Sequence, residues 1–197
     1  MLKVLALAIL GIALTSCIPQ AYHIDERLPF TLFQSVKSRY VGKPAIIITV
    51  DDPSRTLQVI KAEHSPLRKL LGERTGYSFP IGPTFAAYLQ QAQEAAGFYA
   101  AKEKAITVTA TIENVDLYFS LRETHSSLSY IDWVSITLTI ATAENGKVLQ
   151  RTTLSRELSL KGAEIAYAFD RALRITLGQL VLDYLDEVVK HREEAGR

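Results

Sequence analysis

The run Ala45-Ile46-Ile47-Ile48-Thr49-Val50 is almost wholly β-branched, begins after Gly42-Lys43-Pro44 and stops at Asp51-Asp52-Pro53. That pattern predicts a buried central strand bounded by turns. Thr56 to Lys61 reads as a short second strand or an extended segment. Residues 62–82 are punctuated by Pro66, Gly72, Gly76, Pro80 and Gly82, which predicts a long loop. Thr84 to Ala96 predicts a helix, with Thr84 as N-cap, Gly97 as the residue that ends it and Phe98 packing behind. Phe85, Leu89, Ala92 and Ala96 share one face.

Three strands are expected next. Ile106, Val108, Ala110 and Ile112 alternate with polar residues, and the alternation continues through Val115, Leu117 and Phe119 if a bulge near Asn114 shifts the phase. Val134, Ile136, Leu138 and Ile140 alternate with Ser135, Thr137 and Thr139. Asn145-Gly146 then supplies a hairpin turn into a third strand from Val148 to about Leu158. The threonines in the opposite phase predict a sheet with one wet face. A long helix closes the pattern, from Ala163 to Lys190. Its Ile165, Phe169, Leu173, Leu177, Leu180, Tyr184 and Val188 form one apolar stripe of a surface helix. The order β-α-β-β-β-α predicts an α+β two-layer sandwich: a mainly antiparallel sheet of four to five strands with two amphipathic helices on one face.

The N-terminus follows a different pattern. Lys3 precedes an apolar run from Val4 to Leu14, then Thr15, Ser16 and Cys17. This has the layout of a secretory signal peptide and is shorter than the ~20 apolar residues of a transmembrane helix. Leu14-Thr15-Ser16-Cys17 resembles the lipobox of bacterial lipoproteins. The resemblance implies cleavage before Cys17, diacylglycerol on its thiol and acylation of the new amine. Ile18 stands where an aspartate would favour retention in the inner membrane, which implies an outer-membrane protein facing the periplasm. The expected organisation is a signal peptide over 1–16, the lipidated Cys17 and a tether over 17–43, one α+β domain over 44–190 and a polar tail over 191–197.

Composition narrows the function. Lys3 is the only charged residue ahead of Cys17, and the whole chain has a formal net charge of +1, so the portion from Cys17 onward is net neutral. No strong field favours nucleic acid. Cys17 is the sole cysteine, so no disulfide can form within the chain, and stability must come from an apolar core, for which a 48% hydrophobic content suffices. The length from Cys17 onward, about 180 residues, suits one domain.

Four features, taken in order, resemble the YajG-like family of small bacterial lipoproteins: the lipobox, Val50-Asp51-Asp52-Pro53-Ser54-Arg55, Leu71-Gly72-Glu73-Arg74-Thr75-Gly76 ahead of a helix ending Ala96-Gly97-Phe98, and Thr142 to Leu149 in a hairpin before a C-terminal helix. The resemblance implies no catalytic residues. A related architecture is implied for auxiliary lipoproteins of ABC-type lipid transport and, more distantly, for the LptE-like lipoprotein of lipopolysaccharide assembly.

Motifs for chemistry are sparse. His23, His64, His125 and His191 form no i, i+4 pair and none lies near the cysteine, so neither a metal nor a cofactor is expected. There is no P-loop, Gly-x-Ser-x-Gly or Gly-x-Gly-x-x-Gly. Asp51 and Asp52 could serve as a metal or acid/base pair, but they read better as turn caps before Pro53. Arg55 and Arg74 could pair with them. The Tyr77-to-Pro80 region and Trp133 are read first as core and second as a partner groove. The expected protein is a non-enzymatic, lipid-anchored envelope component whose partner surface would include Asp51, Asp52, Arg55, Arg74 and Tyr77. The rival readings are an accessory lipid-binding subunit of an ABC-type or lipopolysaccharide transport system, and a structural part of a large machine such as the flagellar basal body. The protein partner and any homo- or hetero-oligomer are left open.

Overall fold

Ile46–Val50 does form a strand, β1, but at an edge of its sheet rather than the centre. It runs parallel to β4 (Ile106–Glu123), with Ile46 opposite Ile106 and Val50 opposite Ala110. β4 pairs antiparallel with β5 (Tyr130–Glu144), and β5 with β6 (Lys147–Gly162), giving the order β1-β4-β5-β6. The first three residues of β1, Ile46 to Ile48, are buried although only one strand flanks them, because a helix packs beside it. Within helix α2 (Ile81–Ala96), the buried Gln93 accepts from Ile48 N–H through Oε1 at 2.6 Å and donates to Ile48 O through Nε2 at 3.1 Å. At Ile48, one side chain thus supplies the two bonds that a neighbouring strand would have made.

The computed structural model describes Phe33 and residues 35–55, 57–61, 76–123, 130–162 and 165–196; side chains are described at 33, 35–54, 80–118, 133–159 and 171–196. The expected signal peptide, Cys17, most of the expected tether, residues 62–75, His64 and His125 lie outside the described residues.

The long-loop expectation is corrected at its C-terminal end. Leu57–Lys61 (β2) pairs antiparallel with Gly76–Pro80 (β3) in a separate two-stranded sheet. Gly76 and Pro80 sit at the ends of β3, where their turn character hid the short strand between them. Helix α2 also starts earlier than Thr84, at Ile81, with Pro80 at its N-cap position. Pro83 is tolerated there because first-turn N–H groups have no intrahelical acceptor. Thr84 is therefore buried in the helix instead of capping it. The C-terminal end matches expectation. Gly97 has φ +79°, its N–H bonds to Glu94 O at 3.0 Å, and Phe98 N–H reaches back to Gln93 O at 3.1 Å, closing a left-handed cap with Phe98 buried behind it. A 3-10 stretch, Tyr99–Lys104, leads into β4.

The β4–β5–β6 meander follows the sequence pattern closely. The register shifts between Ile112 and Asn114, where the change of phase requires a bulge. Asn145 and Gly146 both have positive φ, 50° and 77°, as a two-residue hairpin between Glu144 and Lys147 needs. Val134, Ile136, Leu138 and Ile140 are buried. On the opposite face, Thr137 and Ser155 hydroxyls meet at 2.9 Å and those of Thr139 and Thr153 at 3.2 Å, at exposed positions.

Helix α3 (Ile165–Ala195) lies along β5 and β6 and beside α2. At ~1.5 Å per residue it is about as long as the strands it covers. It is not a surface helix with one stripe. Leu173, Leu177, Leu180, Tyr184 and Val188 are buried, but so is a second row, Ala172, Thr176, Val181, Leu185 and Val189. The helix packs on both the sheet and α2, so its buried sector is wider than a single stripe implies. Tyr184 joins the layers: its hydroxyl lies 2.6 Å from Thr142 Oγ1 and its ring 5.9 Å from that of Phe85. The result is the expected α+β two-layer sandwich, with a four-stranded mixed sheet. Among the described residues no helix is long and apolar enough to cross a membrane.

The packed body extends further toward the N-terminus than Pro44. A short helix, α1 (Val36–Arg39), buries Val36 completely, Tyr40 is 5% exposed, and Phe33 packs against the same core. The last part of the expected tether therefore belongs to the domain.

Candidate functional site

The acidic end of β1 is built by turn chemistry. Asp51 N–H donates to Ala110 O at 2.8 Å, extending the β1–β4 pairing by one bond, while its side chain is exposed. Asp52 adopts φ +35° and accepts a hydrogen bond from Ser54 Oγ. An aspartate tolerates this backbone because its short carboxylate bonds locally. The 3-10 turn Pro53–Arg55 follows and packs on α2. The two carboxylates thus split: Asp51 faces solvent and Asp52 braces the turn. No group of three or more His, Cys, Asp or Glu residues that could hold a metal occurs among the described residues. The backbone of Arg55 lies in the turn. That of Tyr77 lies in β3 opposite Ile60. Their side chains, and all of Arg74, lie outside the described residues, so of the five partner-surface candidates only Asp51 and Asp52 are placed in full.

Trp133 corrects an expectation. The sequence reads it first as core and second as part of a partner groove, but β5 alternates, and Val134 and Ile136 already occupy the core side. Trp133 is therefore on the other face, half-buried, with its ring edge-on to Tyr118 at a centroid distance of 5.1 Å. Tyr118 is 44% exposed. The pair is a cross-strand aromatic contact on the polar face, and the period-2 alternation alone could have predicted it.

The contacts that sequence reasoning missed join the N-terminal segment to the far end of α3. Arg39 pairs with Asp186, and Tyr40 Oη donates to the other oxygen of the same carboxylate at 2.5 Å. Lys43 Nζ lies 2.8 and 3.0 Å from the two carboxylate oxygens of Glu193. The Arg39 guanidinium sits 5.9 Å from the Tyr40 ring centroid, and that ring meets Phe98 edge-on at 5.5 Å. Burial, and secondarily the bond to Asp186, push the Tyr40 hydroxyl well above its ordinary range, so it stays a neutral donor. The exposed Arg39–Asp186 and Lys43–Glu193 pairs contribute little stability by themselves; buried Val36 and Tyr40 carry the docking, and the ion pairs fix its position. The available signal was Phe33-x-x-Val36-x-x-x-Tyr40, a helical spacing too short to stand out.

The arrangement fastens the described N-terminal segment, from Phe33 to Lys43, to the body.

No protein-family model and no curated protein sequence matches the chain. Among solved structures, it is similar to a minor lipoprotein from Acinetobacter baumannii, at 12% identity and a TM-score of 0.42, over 55% of this chain and 83% of that one. It is also similar to a Xanthomonas campestris protein described under the domain family DUF330, at 14% identity and a TM-score of 0.42, over 78% of this chain and 91% of that one. Similarity at this level carries no family assignment, and the YajG-like resemblance rests on the sequence motifs alone.

Proposed function

We propose that the protein is a bacterial lipoprotein, held at the outer membrane by acyl chains on Cys17, whose α+β domain faces the periplasm and binds a protein partner in an envelope assembly without catalysing a reaction. The observation that carries this reading is Leu14-Thr15-Ser16-Cys17 at the end of the apolar run Val4–Leu14. Two or three acyl chains on one residue give stable attachment where one chain gives only marginal binding. The docking of the segment from Phe33 to Lys43 on α2, with its bonds to Asp186 and Glu193 of α3, is consistent with this role, since it lets the tether position the body relative to the bilayer. The space between sheet and helices is occupied by Phe85, Tyr88, Tyr184 and their aliphatic neighbours. The absence of any motif for catalysis in the sequence supports the non-enzymatic, protein-binding reading.

Radiolabelled palmitate in growing cells tests the anchor. The wild type should incorporate label and fractionate with membranes; Cys17→Ser should incorporate none. Equal labelling of both would overturn the reading. Crosslinking from intact cells followed by pull-down tests the partner, with a specific protein expected to be captured by the wild type and lost when the domain is unfolded.

A further inference from the structure

The two edges of the four-stranded sheet are finished differently. β1 has its middle residue, Ile48, bonded twice by Gln93, whereas β6 is a 16-residue edge strand with no strand beside it among the described residues. A long regular edge is a template for another strand unless it is bulged, capped or charged against pairing. The register shift that interrupts β6 falls between Val148 and Gln150, at its start, and leaves the stretch from Gln150 onward in regular register.

We propose that β6 pairs antiparallel with β6 of a second copy of this chain about a two-fold axis at Leu154, joining the two sheets into one of eight strands. In such a pair the axis stands perpendicular to the sheet, so both helical layers stay on one face and each residue faces one of its own phase. Centred on Leu154, the register sets Arg151 of each copy opposite Glu157 of the other, twice over, on the polar face. It also sets Thr153 opposite Ser155, continuing across the interface the hydroxyl contacts already made between β5 and β6. All four side chains are exposed. Moving the centre by one residue sets Arg151 against Ser155 or Ser159 and loses both ion pairs. Glu157 makes no ion pair among the described residues, so it is free to take the partner copy's Arg151. Arg151 uses Nε on Glu113 within its own chain, at 3.1 Å to each oxygen, and is 62% exposed there. The proposal does not depend on lipidation and stands or falls separately from the proposed anchor.

A charge swap provides the test. The full chain in detergent, with reductant present so that Cys17 cannot crosslink copies, is followed by sedimentation velocity over a concentration series. The wild type should show a concentration-dependent dimer. Arg151→Glu alone and Glu157→Arg alone should each weaken dimerisation by about tenfold or more, because two attractive cross-strand pairs become repulsive. The double variant R151E/E157R should restore it to within a few-fold, although the contact of residue 151 with Glu113 stays broken. Circular dichroism must match wild type throughout; for a variant that does not fold, Arg151→Gln and Glu157→Gln give the weaker, same-direction effect. A wild type that stays monomeric at tens of micromolar, or a dimer that the single swaps leave unchanged, would overturn the proposal. So would a dimer that the singles break and the double does not restore.

Discussion

The side-chain amide of Gln93 and the peptide unit of Ile48 bond to each other twice, at 2.6 Å and 3.1 Å, across the buried edge of β1. The two residues are far apart in sequence, and neither bond has a substitute, since Gln93 is fully buried and Ile48 is 3% exposed. Replacing Gln93 with Leu keeps the volume and strands both backbone groups. The expected loss is about 2 kcal/mol or more, because each buried, unsatisfied group costs ~1–3 kcal/mol. Urea unfolding measures it, and a loss within a few tenths of wild type would show that the edge is not held this way. In Gln93→Glu, burial should raise the carboxyl above its unfolded value. The folded state then binds the extra proton, so this variant should lose stability relative to wild type as pH rises from about 4.3.

Asp186 holds both Arg39 and Tyr40. Asp186→Ala should loosen the segment 35–43 without undocking it or opening the sheet, since Val36 and Tyr40 stay buried. Amide exchange over that segment should accelerate while β4 to β6 keep their protection, and global stability should fall by only about 1 kcal/mol. Uniform acceleration across the domain would mean that α1 and the sheet unfold as one unit.

Tyr184 governs an alkaline limit. Burial pushes its hydroxyl up to about 12, with the Thr142 bond acting weakly in the opposite sense. An unfolded tyrosine ionises near 10. The folded state therefore retains a proton that the unfolded chain gives up, so this contribution is complete below pH 10 and is lost between pH 10 and about 12. Unfolding midpoints should drop steeply over that window in wild type and less steeply in Tyr184→Phe. A parallel decline in both would assign the alkaline limit elsewhere, Tyr40 being the next group to examine.

Gly97 ends α2 at φ +79°, and a Cβ built there meets nothing within 4 Å. The cost of Gly97→Ala is thus backbone strain alone, about 1 kcal/mol. Gly97→Asn should cost less than Gly97→Ala, since asparagine enters the left-handed region more readily. Equal costs would point to a packing effect that the geometry does not contain.

Local chemistry made much of this molecule legible in its sequence. Period-2 alternation identified β4, β5 and β6 and the bulge beside Asn114; Asn145-Gly146 identified the hairpin; Gly97-Phe98 identified the end of α2. Each of these depends on residues adjacent in the chain, where backbone sterics and side-chain alternation act directly. The same short range made Asp52 readable as a turn residue. Where one local signal masked another, the reading failed: Gly76 and Pro80 concealed β3, and Thr84 suggested a helix start that Pro80 and Ile81 had already made.

Only the tertiary structure decided what covers what. An apolar strand buried by flanking strands and one buried by a helix have the same composition, so Ile46 to Val50 could not announce that β1 lies at an edge where Gln93 bonds Ile48. Helix α3 showed one stripe in sequence because periodicity reports the strongest apolar row; that a second row is buried as well follows from where distant elements pack. The contacts of Arg39, Tyr40 and Lys43 with Asp186 and Glu193 join opposite ends of the chain, and no local pattern encodes such a pairing. The sequence by itself determined most of the elements, the main turns and the Cys17 motif. Long-range packing determined that the N-terminal segment belongs to the domain and that β6 lies at the sheet edge, because burial depends on neighbours that the chain brings together only when folded.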